Sequence, residues 1–436
     1  MREVPEAIHK TRDVFGITRD LPLNYVTRNN VDGKFIDSLT REKHLIVHGG
    51  SKQGKTSLRK YNLKPDDYIV ISCHNKWEVS ELMAAVLKGA GYQVTQSDAR
   101  TASGKNKITI KAEGKGKVPL VAEATGSGEN TTESEEETKV ERKPLDLDPS
   151  DTNDIITALQ SVGFSRYIIL EDFHYLPIET QRDFSFALKT FHEQSKFTFI
   201  IVGVWKEENR LTRFNGDLTN RVIPIDADTW EPTELSEVIQ AGETLLNVQF
   251  DQKFKSKIAS GCFNSVYIVQ EACFRACEDA KVFETGQELR IIAPDAPAED
   301  FIRNVVQEQS GRYRAFINTF AAGFSPTKLE MYKWIIYAVL LSEVGDLGDG
   351  LRLNHIVRTI KAKHPDGADL QTANVTNALT NVSSLQAQKD VRPIVLDYDE
   401  KDENERRLDV VDKGFLVWLS VVDIDELLDD LDLPKD

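Results

Sequence analysis

The chain lacks the features that would place it in or across a membrane. Its 436 residues contain no run of about 18 apolar positions, the length that a spanning helix needs. Residues 1–6 hold no apolar leader core either, so the reading is a cytoplasmic protein with no membrane partner. Cysteine is scarce, four in all, which suits a reducing compartment. Cys273 and Cys277 share one face of an apolar helical pattern with no second Cys/His pair nearby, and they read as buried core thiols rather than metal ligands. Positive charge is short too: 54 Lys and Arg against 70 Asp and Glu leave a net charge of −16, which disfavours non-specific attraction to nucleic acid or anionic lipid. No nuclease, protease or NADase constellation is present. The eight histidines are scattered, and His174 reads as a core or supporting residue.

What is present is an ordinary globular composition, 40% hydrophobic and 28% charged, in a chain long enough for two or three domains. The most informative stretch is His44-Leu-Ile-Val-His48, which runs directly into Gly49-Gly-Ser-Lys-Gln-Gly-Lys-Thr56. G-x-x-x-x-G-K-T between a strand and a helix is the context of a phosphate-binding loop. Gly49 and Gly54 let the backbone curl so that successive N–H groups converge on a phosphate, and the helix beginning near Lys55 adds its positive end. Gly50, Ser51, Lys52, Gln53 and Ser57 complete the cradle. Lys55 is placed to reach the β- and γ-phosphates, and Thr56 to hold Mg2+.

Strands and helices alternate around this loop. Tyr68-Ile-Val-Ile-Ser72, the apolar run ending at Glu171, Phe197 to Gly203 and Val222-Ile-Pro-Ile-Asp226 read as strands, with helical spacing at 78–87, 154–162 and 181–195. The pattern implies an α/β fold, a parallel P-loop sheet with helices on both faces. Residues 89–150 read as an insertion. Within it 107–111 alternates like one strand of a hairpin, 133–137 is an acidic run, and the part after Gly126 reads as mobile. Arg100, Lys105, Lys107, Lys111, Lys115 and Lys117 form the one dense basic cluster, read either as a solvated hairpin balanced by the acidic run or as a contact for nucleic acid or a partner. Residues 230–283 read as all-helical. Three helices follow at 329–341, 351–364 and 372–385, then strands at 394–398 and 407–411 and an apolar segment at 415–419. The last stretch, 423–436, is acidic with interleaved leucines and reads as a solvating tail, the alternative being a short partner-binding helix.

A nucleotide hydrolase built on such a loop needs an acid at the end of a second buried strand to organise Mg2+, and a carboxylate to polarise the attacking water. Glu171 and Asp172 supply both at one strand tip. These blocks, with the strand ending at Gly203 and Asn215-Gly-Asp-Leu-Thr-Asn-Arg221, resemble the Walker A, Walker B, sensor 1 and arginine-finger regions of an AAA+ ATPase. The flavour is that of the origin-recognition and Cdc6-like branch and the related STAND ATPases, over about residues 20–290 less the insertion. The resemblance implies ATP and Mg2+ as ligands, Thr56, Glu171 and Asp172 as the metal-side residues, and Glu171 and Asp172 as the hydrolytic carboxylates. It also implies that Arg221 acts in trans on a neighbouring subunit's γ-phosphate, with Arg213 as the alternative, and that Tyr25 and Val26 line the adenine pocket with Arg28 nearby. It further implies a P-loop ATPase domain over 1–229, a helical lid over 230–322, a winged-helix domain over 323–422 and the acidic tail.

Several residues depart from that pattern. The carboxylates come as Glu then Asp, the reverse of the usual order. Where a polar sensor 1 residue is expected the strand runs into Gly203-Val-Trp205, leaving Thr198, Glu208 or Asn209 to serve. Asn264 stands near the usual lid arginine, with Arg275 the nearest basic candidate. The departures favour a nucleotide-dependent oligomeric switch with slow ATP hydrolysis, a homo-oligomer whose output passes through an effector protein, as in a prokaryotic defence or signalling system. The alternative is a DNA-associated AAA+ ATPase, an initiator, loader or transposition-type regulator that contacts DNA through the basic insertion. Residues 370–388 contain no Lys or Arg and the loop after 397 is mostly acidic, so DNA reading by the winged module is not favoured. Arg358, Lys361 and Lys363 are its only candidate contacts.

Overall fold

The computed structural model describes residues 7–100, 106–112, 145–400 and 406–435. The acidic run at 133–137, most of the segment expected to be mobile, and Lys105, Lys115 and Lys117 of the basic cluster lie outside the described residues; the end of that segment is described and, against the expectation, Leu145–Leu147 is a paired strand. The first eight strands are β1 His44–His48, β2 Tyr68–Ser72, β3 Tyr92–Arg100, β4 Asn106–Ala112, β5 Leu145–Leu147, β6 Tyr167–Glu171, β7 Phe199–Val202 and β8 Val222–Asp226. Five of them form the central sheet in the order β2-β6-β7-β1-β8, every pair parallel. The expected α/β architecture is the one observed.

Burial explains why these apolar runs are strands of a covered sheet. Leu45, Val47, Ile169, Ile200 and Val202 pack on one face with Leu58 and Phe35, from helices Lys55–Asn62 and Lys34–Leu39. Ile46, Ile168, Leu170, Phe199 and Ile201 pack on the other face against helices Val79–Gly89, Thr152–Ser161 and Ile178–Gln194. Alternate residues of one strand thus enter two cores, the signature of a parallel sheet covered on both sides. Pro224 sits in β8 at the sheet's edge, where a missing N–H costs no ladder bond. The insertion contributes a separate antiparallel sheet, β3-β4-β5, anchored by the Tyr92 hydroxyl donating to Ala158 O at 2.7 Å. Of the basic cluster only Lys107 and Lys111 have described side chains, half-buried and exposed respectively.

Beyond β8 the chain forms helices Pro232–Leu246, Gln252–Gly261, Val266–Asp279, Ala298–Gln307 and Ser310–Ala321. The segment is not wholly helical as expected: β9 Val248–Phe250 pairs in parallel with β10 Arg290–Ile292, because Val-Gln-Phe alternates buried, exposed, buried and follows a left-handed helix stop at Asn247. The C-terminal region holds helices Met331–Leu340, Leu353–Lys363, Thr372–Thr380 and Val382–Gln388, with β11 Leu351–Arg352, β12 Leu396–Asp399 and β13 Arg407–Val410 in the antiparallel order β11-β13-β12. One apolar core runs without a break from Phe15 and the helices after β8 into this region: Tyr313 packs 5.3 Å from Phe415 and Trp418. The acidic tail differs from the solvating tail expected. Helix Ile424–Asp430 buries Leu427 and Leu428, and Arg314 pairs with Glu426 at 2.7 Å and Asp430 at 3.3 Å, so its interleaved leucines serve packing.

The C-terminal sheet docks on the central one through buried charge. Arg210 meets Asp397 at 3.1 Å, Lys206 meets Asp409 at 3.6 Å, and Arg213 meets Glu207 at 3.4 Å and Glu400 at 3.7 Å. Burial pushes the Glu207 carboxyl up to about 7, with Arg213 and Arg210 pulling it back and Asp399 and Asp397 adding to the rise; burial likewise pushes Asp409 up to about 6 against the pull of Lys206. A carboxyl whose value is raised on folding stabilises the fold fully below its unfolded value and loses that contribution as pH rises through the folded one. Burial holds His44, His48 and His174 below the ordinary histidine value, so they act in the opposite sense as pH falls below about 6.5. Between pH 6.5 and 8 the Glu207 contribution stands alone among these groups and amounts to a loss of roughly 1 kcal/mol. Chemical denaturation of Glu207→Gln should therefore show a smaller fall in stability over that interval than the native chain.

Candidate nucleotide site

The Gly49–Ser57 loop leaves the C-terminal end of β1 in a conformation only its glycines allow. Gly49 has φ +136°, and a Cβ there would meet the Asp228 amide nitrogen at 2.6 Å; Gly54 has φ +86° and caps helix Lys55–Asn62. The rim of the loop is tied to three different elements. Gly49 N–H donates to Trp205 O at 2.9 Å, Gly50 N–H to Asp228 Oδ1 at 2.7 Å, and Ser51 N–H to Val411 O at 2.8 Å. The Trp230 indole N–H donates to Gln53 O at 3.3 Å. Lys55 folds over the loop, its ammonium donating to Gly49 O at 2.9 Å and Gly50 O at 2.5 Å. Burial pushes this ammonium down to about 8, against the attraction of Asp228, Glu171 and Asp172.

A cavity of about 360 Å³ opens beside the loop, of a size that suits a small-molecule ligand. Residues 51–57, Glu171, Asp172, His174 and Gly203 line it. Ile17, Pro22, Tyr25, Val26, Trp230, Val238, Val266 and Tyr267 give the rest an apolar lining. Sequence reasoning placed Tyr25 and Val26 here, and both line the cavity. The Tyr25 hydroxyl donates to Asp32 at 2.6 Å while its ring stacks on Tyr61 at 4.6 Å. Arg28 does not line the cavity: its guanidinium donates to Ala227 O and Thr229 O and lies 4.0 Å over Trp230.

The two carboxylates are brought to the cavity in different states. Glu171 ends β6 and pairs with Arg59 of the loop helix at 3.2 Å; burial raises its carboxyl, Arg59 and Lys55 oppose the rise, and Asp172 reinforces it. Asp172 follows in a left-handed conformation, φ +59°, with its carboxyl raised by burial against Lys55, Arg392 and His74. Thr56 and both carboxylates line one cavity, a donor set of oxygens that suits a hard divalent cation.

Other sequence candidates fall outside the cavity. Arg221 precedes β8 at the opposite end of the sheet from the loop, its backbone O accepting from His44 N–H at 3.0 Å and its guanidinium paired with Glu193 at 2.7 Å. Arg213 is held by Glu207 and Glu400. Thr198 lies before the start of β7, away from the loop, while Glu208 and Asn209 are exposed. Gly203 admits no side chain, since a Cβ would lie 1.5 Å from the buried Trp205 ring. Asn264 gives its carbonyl to Lys413 at 3.4 Å, and Arg275 forms a fork with Glu308 at 2.7 and 2.9 Å. Sequence reasoning missed Arg59, Asp228, Trp230 and Lys413, which carry no motif; the strand-end position of Asp228, two residues beyond β8, was the one available signal.

A five-stranded parallel sheet in this order, with the glycine-rich loop between its strand and helix, defines the fold of a P-loop ATPase. The Walker-type ATPase paby2304 of Pyrococcus abyssi is similar over 93% of this chain and 99% of its own, at 11% identity and a TM-score of 0.50. The Aeropyrum pernix Orc1 protein in complex with DNA (9% identity, 97% of each chain, TM-score 0.40) and a point variant of Thermotoga maritima RuvB (11%, 94% and 97%, 0.38) are also similar. At such identities the likeness bears on fold alone. No protein-family model and no curated protein matches the chain.

Lys55→Ala should weaken binding of a fluorescent ATP analogue by about ten- to a hundred-fold, the loss of a charge-assisted contact. The melting temperature should not fall, because the buried ammonium it removes is itself costly.

Proposed function

We propose that the chain is an ATP-binding P-loop ATPase of AAA+/STAND-like type that works as a nucleotide-dependent switch, hydrolysing slowly and passing its state to a partner protein. The observation that carries this reading is the seating of the C-terminal region on the phosphate loop. Val411 O accepts from Ser51 N–H, and two residues on Lys413 reaches Asp228 Oδ2 at 3.4 Å and Asp228 O at 3.1 Å. Asp228 in turn holds Gly50. Any change in the loop on binding a triphosphate is therefore felt directly by the segment that leads out of β13. In this reading 1–229 is the ATPase domain, 230–322 the lid, 323–422 a winged-helix arm and 423–436 its acidic closing segment.

The loop and Lys55 would bind the phosphates, and Tyr25, Val26 and Trp230 would enclose the base. Thr56, Glu171 and Asp172 would hold Mg2+, which when bound neutralises charge on the phosphates. Arg59 restrains Glu171, leaving the shorter Asp172 as the carboxylate free to orient water, which supports slow turnover. Arg221 faces away from its own cavity and is proposed to complete a neighbour's in a homo-oligomer. The winged-helix strands turn their acidic side chains inward, Asp397 onto Arg210 and Asp409 onto Lys206. That favours signalling through a protein over direct DNA reading.

Light scattering tests the assembly: mass should rise with ATP·Mg2+ and not with ADP, and Arg221→Ala should stay at the unliganded mass in both. Lys413→Ala removes one partner of a largely buried ion pair, a loss of about 3–5 kcal/mol for such pairs. It should enlarge the nucleotide-free chain in small-angle scattering as the arm leaves the loop; an unchanged radius of gyration would count against the switch.

A further inference from the structure

Gly203 and Val204 leave the wall of the cavity beside Asp172 without a polar side chain from β7, and the Trp205 ring keeps any from being accommodated at Gly203. One polar side chain does stand there. His174, in the turn Phe173–Tyr175 that follows the carboxylates, is 3% exposed and lines the cavity together with Lys55 and Asp172. Its Nδ1 accepts the Val204 N–H at 3.2 Å. An accepting Nδ1 places the ring proton on Nε2, and Nε2 is buried with no hydrogen-bond partner among the described residues. A buried N–H donor left unpaired is costly unless something completes it. In a cavity lined by a phosphate loop, the acceptor that fits is a phosphate oxygen. His174 lines the same cavity as Lys55 and Asp172, and Lys55 is near enough for its charge to act on the ring.

We propose that His174 is the residue by which this cavity tells a nucleoside triphosphate from a diphosphate, Nε2–H donating to a γ-phosphate oxygen. The backbone N–H of Val204 fixes the tautomer, so the donor is set before the ligand arrives. It also ties the donor to the segment after β7 that carries Trp205, whose carbonyl holds Gly49. The inference rests on reading the cavity as a nucleotide site.

The test is a titration of the full chain with ATPγS and with ADP. His174→Asn keeps an acceptor for Val204 N–H but has nothing at the Nε2 position, whereas His174→Gln can place an N–H there. His174→Asn should melt with the native chain, bind ADP unchanged, and lose about ten- to a hundred-fold in ATPγS affinity; His174→Gln should recover most of that loss. A parallel weakening for both nucleotides, or an unchanged ratio, would overturn the assignment and leave His174 a structural residue. Binding of neither nucleotide by the native chain would instead overturn the cavity's reading as a nucleotide site.

Discussion

The arrangement of this molecule depends on how a short glycine-rich loop disposes of its backbone N–H groups. The first three are taken by acceptors from three separate parts of the chain: Trp205 after β7, Asp228 after β8, and Val411 after β13. Each acceptor lies just beyond the end of a strand, so two strands of the central sheet and one of the C-terminal sheet must all end at the same place. That convergence sets the cavity's walls. The positive φ at Gly49 and Gly54 makes it possible, because a side chain at Gly49 would occupy the space where Asp228 approaches.

Charge inside the molecule follows from the same convergence. A chain with a net charge of −16 brings Asp397, Asp399, Asp409 and Glu207 together beneath the C-terminal sheet, where Lys206, Arg210 and Arg213 meet them. Such pairs add little net stability compared with apolar packing, yet breaking one is expensive. They therefore fix where the C-terminal sheet sits more than how firmly. Two of the carboxyls, Glu207 and Asp409, are raised toward neutrality, so the interface is less charged than the sequence suggests.

The central fold was legible because its signals are local. Apolar runs at β1, β2, β6, β7 and β8, helical spacing between them and one loop motif were enough to specify a parallel sheet covered on both faces. Residues 51–57 of the loop, Tyr25, Val26, Glu171 and Asp172 line one cavity, while Gly49 and Gly50 do not. Residues whose role comes from tertiary approach were not legible: Asp228, Lys413 and Arg59 lie in no motif, and Lys413 meets its partner across 185 positions of chain. β9 was hidden because three residues are too few for periodicity to separate strand from helix. The tail misled because acidic composition suggests solvation, while its leucines, at the spacing of one helix face, were packing against the preceding helices.

The unbroken core between the helices after β8 and the C-terminal sheet has a mechanical consequence. Val266 and Tyr267, which wall the cavity, pack against the same core that holds Phe415 and Trp418. Packed interiors transmit displacement instead of absorbing it. A displacement of the cavity's wall at Val266 and Tyr267 would therefore be carried into the C-terminal region rather than taken up between the two. The state of the cavity would then be readable on the C-terminal region, far along the chain from most of the residues that line it.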